Sequence, residues 1–96
     1  MNVQLIGNYL GPSSMAHNAH WKTQDTLILS HYQSGVVILD VSNPASPVQI
    51  GRYDTYPASE TSAYAGCWGA FPFTQNGYIY GSDIEGDLNV LEFRPV

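Results

Sequence analysis

The sequence has few of the residues on which several large classes of protein function depend. Its 96 residues include one cysteine, Cys67, and three basic residues, Lys22, Arg52 and Arg94. A single cysteine excludes an internal disulfide and a multi-cysteine zinc site. The net charge of -5 argues against nucleic acid and anionic membranes as partners, because affinity for both comes largely from clustered Lys and Arg.

Long apolar runs and catalytic motifs are also missing. The start, MNVQLIGNYL, has neither a basic segment nor an apolar stretch of signal-peptide length. Nothing further along approaches the roughly 18 apolar residues of a membrane span. We therefore expect no export signal and no membrane span. No phosphate-binding glycine loop, G-x-S-x-G elbow or zinc-protease helix is present, so we expect no enzymatic activity and no cofactor.

What the sequence does contain is a series of short strands separated by turn residues. Runs rich in β-branched and aromatic residues, bounded by Gly, Pro, Asn and Ser, are typical of strands. The predicted strands cover residues 2–9, 16–21, 26–32, 36–41, 48–53, 67–73, 78–84 and 88–93. Residues 36–41 are the most apolar of these, which predicts a central strand buried on both faces.

An internal repeat relates the two halves of the chain. A shift of 52 positions places residues 16–41 on residues 68–93 without a gap, and the apolar pattern is kept. The equivalent pairs include Ser30 with Ser82, Leu39 with Leu91, Trp21 with Phe73, and acidic Asp40 with acidic Glu92. The opening VQLIGNY also resembles VQIGRY at residues 48–53, with one residue deleted. A repeat of this size built from short strands is typical of propeller blades.

The strand pattern predicts an all-β fold, a β-propeller with two four-stranded blades per chain. Within one domain of residues 1–96, the first blade covers residues 15–53, the second covers residues 67–93, and residues 54–66 form an inserted loop. The second repeat lacks a fourth strand, and residues 1–10 have the right pattern to supply it. We therefore predict that the N-terminal strand of one subunit completes the last blade of a neighbour, which closes a homo-oligomeric ring. A trimer is favoured over a tetramer.

Several short motifs resemble those of the LVIVD-repeat β-propeller proteins, in particular the surface-associated group described as choice-of-anchor B. The motifs are His17-Asn18, the pattern G-x-x-I-x-D-x-S-x-P-x-x-P from Gly35 to Pro47, YDTYP from Tyr53, Trp68-Gly69 followed by Pro72-Phe73, and Ser82-Asp83-Ile84. The likeness covers nearly the whole chain and matches the last two blades of those proteins. It implies a propeller fold and an extracellular or cell-surface setting, but no activity and no catalytic residues. In that family many blades share one long chain, whereas this sequence holds two.

Aromatic residues are the best lead to a ligand site. Aromatic faces beside Asn, Gln and acidic side chains suit neutral sugars, which they bind by stacking and by hydrogen bonds to hydroxyl groups. The candidate residues for such a small-molecule or glycan ligand are Trp21, Tyr32, Tyr56, Tyr64 and Trp68. The structural alternative is that large aromatics fill the wedge between blades. Polar candidates for a central channel are His17, Asn18, His31 and Asp83.

Metal binding and nucleophilic catalysis are less well supported. His17 and His20 are three residues apart, so on a strand they point to opposite faces and cannot hold one ion without a bulge. We expect no metal site. Cys67 stands between Gly66 and Trp68 with no flanking base, which predicts an inert buried thiol. We also expect Asp40 to bond turn amides near Ser42 rather than a ligand.

Two functions remain open at this point. The first is a non-enzymatic scaffold or interaction module that self-assembles into a ring. The alternative is a carbohydrate-binding propeller with aromatic sites between its blades.

Overall fold

The chain folds into two antiparallel sheets. A computed structural model describes residues 3–11, 16–55, 65–73, 77–84, 86 and 88–94, and this part contains seven strands and no helix. The strands are β1 (Asn18–Thr23), β2 (Thr26–Ser30), β3 (Val36–Asp40), β4 (Val48–Tyr53), β5 (Cys67–Phe71), β6 (Ile79–Asp83) and β7 (Leu88–Leu91). Sheet A has the order β1-β2-β3-β4 and sheet B the order β5-β6-β7. The predicted all-β class is confirmed, and no described residue belongs to a membrane-spanning helix.

The strand predictions from residue 16 onward are confirmed. Every strand end lies within two residues of its predicted position. The central position of β3 is also confirmed, because Val36, Val37, Ile38 and Leu39 are each at most 6 % exposed. The Asp40 carboxylate accepts a hydrogen bond of 2.9 Å from the Ser42 amide, as expected. This bond lowers the pKa of Asp40 below its usual value.

The N-terminal segment differs from its predicted form. Residues 3–11 contain no strand, whereas the sequence pattern predicts one over residues 2–9. Instead the segment lies against sheet A: the Tyr9 hydroxyl donates a 2.6 Å hydrogen bond to Gln49 Oε1, and the Tyr9 ring meets the His31 ring edge-on. A strand that pairs only with another subunit cannot form in one chain. The donation of residues 1–10 to a neighbour therefore stays a prediction.

The 52-residue repeat is correct for two of the three shared strands. Ser30 pairs with Val36 and Ser82 with Leu88, which is the same register after a shift of 52. The first strands do not follow it. Asn18 pairs with Ser30, but Gly69 pairs with Ser82, so the shift there is 51 and the gap-free alignment is wrong by one residue. The connection between the paired residues Phe71 and Tyr80 is one residue longer than the connection between His20 and Ile28, and an alternating apolar pattern does not record that difference.

The two sheets pack face to face around one core. Ile28, Val36 and Ile38 on sheet A meet Ala70 and Ile79 on sheet B, with Cys67 in the same cluster. Leu91 and Phe93 pack against its edge. All six core residues are at most 6 % exposed, and burial of apolar surface on this scale is the main force that joins the sheets.

Hydrogen bonds fix the position of one sheet on the other. Tyr32 and Cys67 exchange two backbone bonds, of 2.9 and 2.7 Å, in an isolated bridge outside both sheets' regular ladders. Further along, Lys22 Nζ donates to the Pro72 carbonyl at 2.9 Å. Gly66 adopts φ +84°, and a Cβ at this position would overlap the Tyr32 carbonyl. The Tyr32–Cys67 bridge is the joint between the sheets, and the close approach of its two backbone segments requires glycine at position 66.

Candidate functional site

Three aromatic side chains meet where the two sheets are joined. We call His17, Tyr32 and Trp68 the aromatic cluster. His17 precedes β1, Tyr32 follows β2, and Trp68 lies on β5. The His17 and Trp68 rings stack with centroids 4.0 Å apart at 28°, and Tyr32 meets both edge-on, at 5.6 Å from His17 and 6.0 Å from Trp68. The structure thus brings together three of the nine candidate residues.

The backbone of Tyr32 is held in an uncommon conformation. Its φ of +46° lies in the left-handed region, the only such value for a non-glycine residue in the described part of the chain. This costs on the order of 1–3 kcal/mol for a residue with a side chain. The two backbone bonds to Cys67 hold Tyr32 there, and the ring is directed into the aromatic cluster. The strained backbone of Tyr32 thus both forms the bridge to Cys67 and places the ring in the aromatic cluster.

The backbone and the ring of His17 make separate contacts. Its backbone amide donates to the Ser30 carbonyl at 2.9 Å, but its ring stacks on Trp68. Within the described residues, His17 Nδ1 is buried without a hydrogen-bond partner. Trp68 lies within the register irregularity of β5, between Cys67 and Gly69. The stack therefore joins the residue that precedes β1 to the irregular position of β5.

The other candidates lie elsewhere. Trp21, on β1, is 55 % exposed. Asn18 exchanges bonds with Ser30 through its backbone, and its amide group is not needed for them. His31 and Asp83 are buried. Tyr56 and Tyr64, and with them most of the 54–66 loop, lie outside the described residues, so the role of that loop as a ligand site stays a prediction.

A cavity opens between the sheets, and its lining does not include the residues of the aromatic cluster. Its volume is about 320 Å³, and most of its lining is apolar. The lining residues are Val36, Ile38, Arg52, Tyr53, Ile79, Val90, Leu91, Glu92 and Phe93. Arg52 is engaged: its Nε donates to the Ser34 carbonyl at 2.7 Å, and its guanidinium lies 3.6 Å from the Asp54 carboxylate. No single sequence motif encodes this cavity, so the sequence does not predict it.

Cys67 has the properties of a structural thiol. It is fully buried in the core, and burial, together with the negative charge of Asp83, raises the pKa of the thiol to about 12. Its Sγ donates weakly to the Gly69 carbonyl. The nucleophile is the thiolate, so a thiol with this pKa is unreactive at neutral pH. Among the residues that the structure describes, no three His, Cys, Asp or Glu side chains are grouped for a metal ion.

Comparison with known families identifies one segment. Residues 32–55 match the family model described as LVIVD repeat. The match spans β3, the turn after it and β4, and it confirms the predicted LVIVD-repeat resemblance. Neither curated proteins nor solved structures give a significant match to the chain.

Proposed function

We propose that this chain is a non-enzymatic β-propeller scaffold that assembles with copies of itself into a ring. In this account each sheet is a blade, and a neighbouring subunit covers the face of sheet B that is turned away from sheet A. The LVIVD match and the two packed antiparallel sheets support the propeller part of the proposal. The assembly part is supported by exposed apolar side chains on the face of sheet B that is turned away from sheet A.

We define the outward face of sheet B as Phe71, Tyr80, Leu88 and Val90. Tyr80 pairs with both Phe71 and Val90, so these side chains share one face, opposite the core residue Ile79. Phe71 is 52 %, Leu88 67 % and Val90 59 % exposed. Contiguous exposed apolar side chains of this size are typical of an interaction surface.

The chain itself contains a model for what covers this face. Under the shift of 52, Tyr80, Leu88 and Val90 are equivalent to three residues of sheet A that are at most 6 % exposed because sheet B covers them. Those residues are Ile28, Val36 and Ile38. A face whose equivalent in the same chain is covered by a sheet fits a sheet of a second copy, which supports a head-to-tail assembly.

The test is sedimentation velocity on the unmodified chain and on two variants. Leu88→Asp places a charge on the outward face, and Ile84→Asp places one at a similarly apolar, 44 % exposed position in the turn after β6. We expect the unmodified chain and Ile84→Asp to sediment as an oligomer, and Leu88→Asp as a folded monomer. A monomeric unmodified chain, or an oligomer unaffected by Leu88→Asp, would contradict the proposal.

A neutral-sugar site is the second candidate, and the aromatic cluster favours it. Trp68 is 48 % exposed although it stacks on His17, so part of its ring remains available to a ligand. In a Trp21→Phe background, Trp68 is the only tryptophan, and its fluorescence reports on this site alone. A saturable change with mono- or disaccharides supports the lectin function. A signal that does not change supports the scaffold without a sugar ligand.

A further inference from the structure

We propose that residues 3–9 of a second copy pair with β7, and that Tyr53 donates a hydrogen bond to Gln4 of that copy across the cavity. This inference rests on the proposed assembly and specifies its interface. The cavity between the sheets is then the site that the fourth strand of sheet B covers. Three observations carry the inference.

The first observation is the position of the N-terminal segment on its own chain. Gly7 lies against the Pro44 and Ala45 backbone, near the end of sheet A where β4 begins, and Gly11 lies against the His31 ring at the other end. The segment therefore runs beside sheet A in the same direction as β4. Tyr9 and Gln49 join the two by their 2.6 Å hydrogen bond. A fourth strand of a preceding blade has this position and direction.

The second observation is that the segment and β4 are equivalent in sequence. VQLIGNY aligns with VQIGRY, so Tyr9 corresponds to Tyr53 and Gln4 to Gln49. Within the chain, the tyrosine of one such strand donates to the glutamine of the next strand. Repetition of this contact one blade further joins Tyr53 to Gln4 of the second copy. Both residues are exposed in the single chain, and Tyr53 is 53 % exposed.

The third observation is the cavity next to β7. In sheet A, β3 pairs with β2 on one side and β4 on the other, whereas β7 pairs only with β6 within the described residues. The cavity is lined by Tyr53 and by residues of β7, and Phe93 closes it in part by packing on Gly51. A strand added to β7 would lie over this opening. Backbone pairing would give hydrogen-bond partners to the N–H and C=O groups at the edge of β7, and the inward side chains of the added strand would face Tyr53.

The equivalence also predicts the register. In sheet A, Val37 pairs with Arg52 and Ile38 with Gly51. Val37 corresponds to Asn89 under the shift of 52, and Arg52 corresponds to Asn8 in the alignment of VQLIGNY with VQIGRY. The first pair therefore predicts that Asn89 pairs with Asn8 of the second copy. The second pair becomes Val90 with Gly7. Asn8 and Asn89 thus lie directly opposite each other on antiparallel strands, within the Cα distance that a disulfide can bridge.

The experiment mixes two variants of the full chain, Asn8→Cys and Asn89→Cys, in equal amounts, refolds them together and oxidises them. Each chain carries only one new cysteine, so a link between positions 8 and 89 forms only between chains. Cys67 is fully buried and does not compete. We expect up to about half of the chains to appear as a covalent dimer on a non-reducing gel, as random mixing of neighbours allows, and each variant alone to give little.

The matched control replaces Asn89→Cys with Arg94→Cys, five residues further along the chain, where the side chain is 82 % exposed and lies outside the outward face of sheet B. We expect this mixture to link several-fold less, because position 94 is too far along the strand from Asn8 to be bridged. An oligomer in which Asn8→Cys links no better to position 89 than to position 94 would overturn the inference but leave the assembly standing. A monomer would overturn both.

The hydrogen bond is tested by a double-mutant cycle on the same assembly. We expect Tyr53→Phe and Gln4→Ala each to raise the subunit dissociation constant by roughly 2- to 10-fold per interface, with no further rise when they are combined. Tyr9→Phe is the matched control, because its bond to Gln49 lies within one chain. Additive effects of Tyr53→Phe and Gln4→Ala would contradict the predicted contact.

Discussion

At the scale of single residues, Cys67 illustrates how the core determines chemistry. The thiol lies among Ile28, Val36 and Ala70, with the Asp83 carboxylate as its charged neighbour. Both surroundings disfavour a thiolate. The sequence-based expectation of an inert buried thiol agrees with this environment, because the flanking residues already lacked any base that could activate it.

The raised pKa of Cys67 makes the free energy of unfolding fall as the pH rises above about 9. The folded-state pKa of about 12 lies above the value of 9.0 for a free thiol, so the folded state favours the protonated form. The resulting stability is complete below about pH 9 and is lost as pH rises toward 12, by up to about 1.4 kcal/mol per pH unit. Urea unfolding at pH 8 and pH 10 measures this loss. We expect Cys67→Ala to depend less steeply on pH, and equal slopes would contradict the account.

Tyr32 could not be assigned its role from sequence. Its aromatic ring marked it as a candidate, but a positive φ is not encoded in residue type for tyrosine and depends on the tertiary bridge to Cys67. The stack of His17 on Trp68 was also not predicted. Trp68 lies in the register irregularity of β5, and an alternating apolar pattern does not record such an irregularity.

At the scale of secondary-structure elements, the joint between the sheets depends on two closely approaching backbones. Gly66 permits the contact between the turn before β5 and the Tyr32 carbonyl. Gly77 has nearly the same backbone conformation, with φ +82° against +84°, but no atom lies within 4 Å of the position that a Cβ would take. Substitutions at these two glycines therefore separate the free-energy cost of the left-handed backbone from the cost of an overlap with Tyr32.

We expect Gly77→Ala to lower the free energy of unfolding by about 1–2 kcal/mol, the cost of a left-handed conformation for a residue with a side chain. Gly66→Ala should cost about 1–3 kcal/mol more, because the new methyl group breaks the paired backbone bonds between Tyr32 and Cys67. Urea denaturation of the two variants measures the difference. An equal loss in both would mean that the joint does not depend on this contact.

Strand positions were predictable because their signals are local. The alternating and continuous apolar runs, and the turn residues between them, determine where each strand begins and ends to within two residues. The pairing of equivalent strands β2 with β3 and β6 with β7 follows from the same pattern. The N-terminal segment is the exception: its pattern fits a strand, but a strand requires a partner edge, and residues 3–11 pair with no strand of the described part of the chain.

At the scale of the whole molecule, the repeat explains both what is packed and what is exposed. Sheets A and B each bury one face against the other. Leu88 and Val90 of sheet B are equivalent to the buried residues Val36 and Ile38 of sheet A, but they lie on the other face of sheet B and are exposed. The cavity lies beside β7, which among the described strands pairs with β6 alone. The sequence indicated the missing fourth strand but not the cavity, because a cavity volume depends on side chains from four strands and the segment after β7.

The proposed closed ring, in which copies of this chain share strands, is tested most directly by the native mass of the unmodified chain. Native mass spectrometry at several protein concentrations is the measurement. We expect one dominant species of three chains of 10.5 kDa each, close to 31.5 kDa, with no ladder of larger assemblies. A folded monomer at every concentration, or an open series of masses without a closed species, would contradict the account.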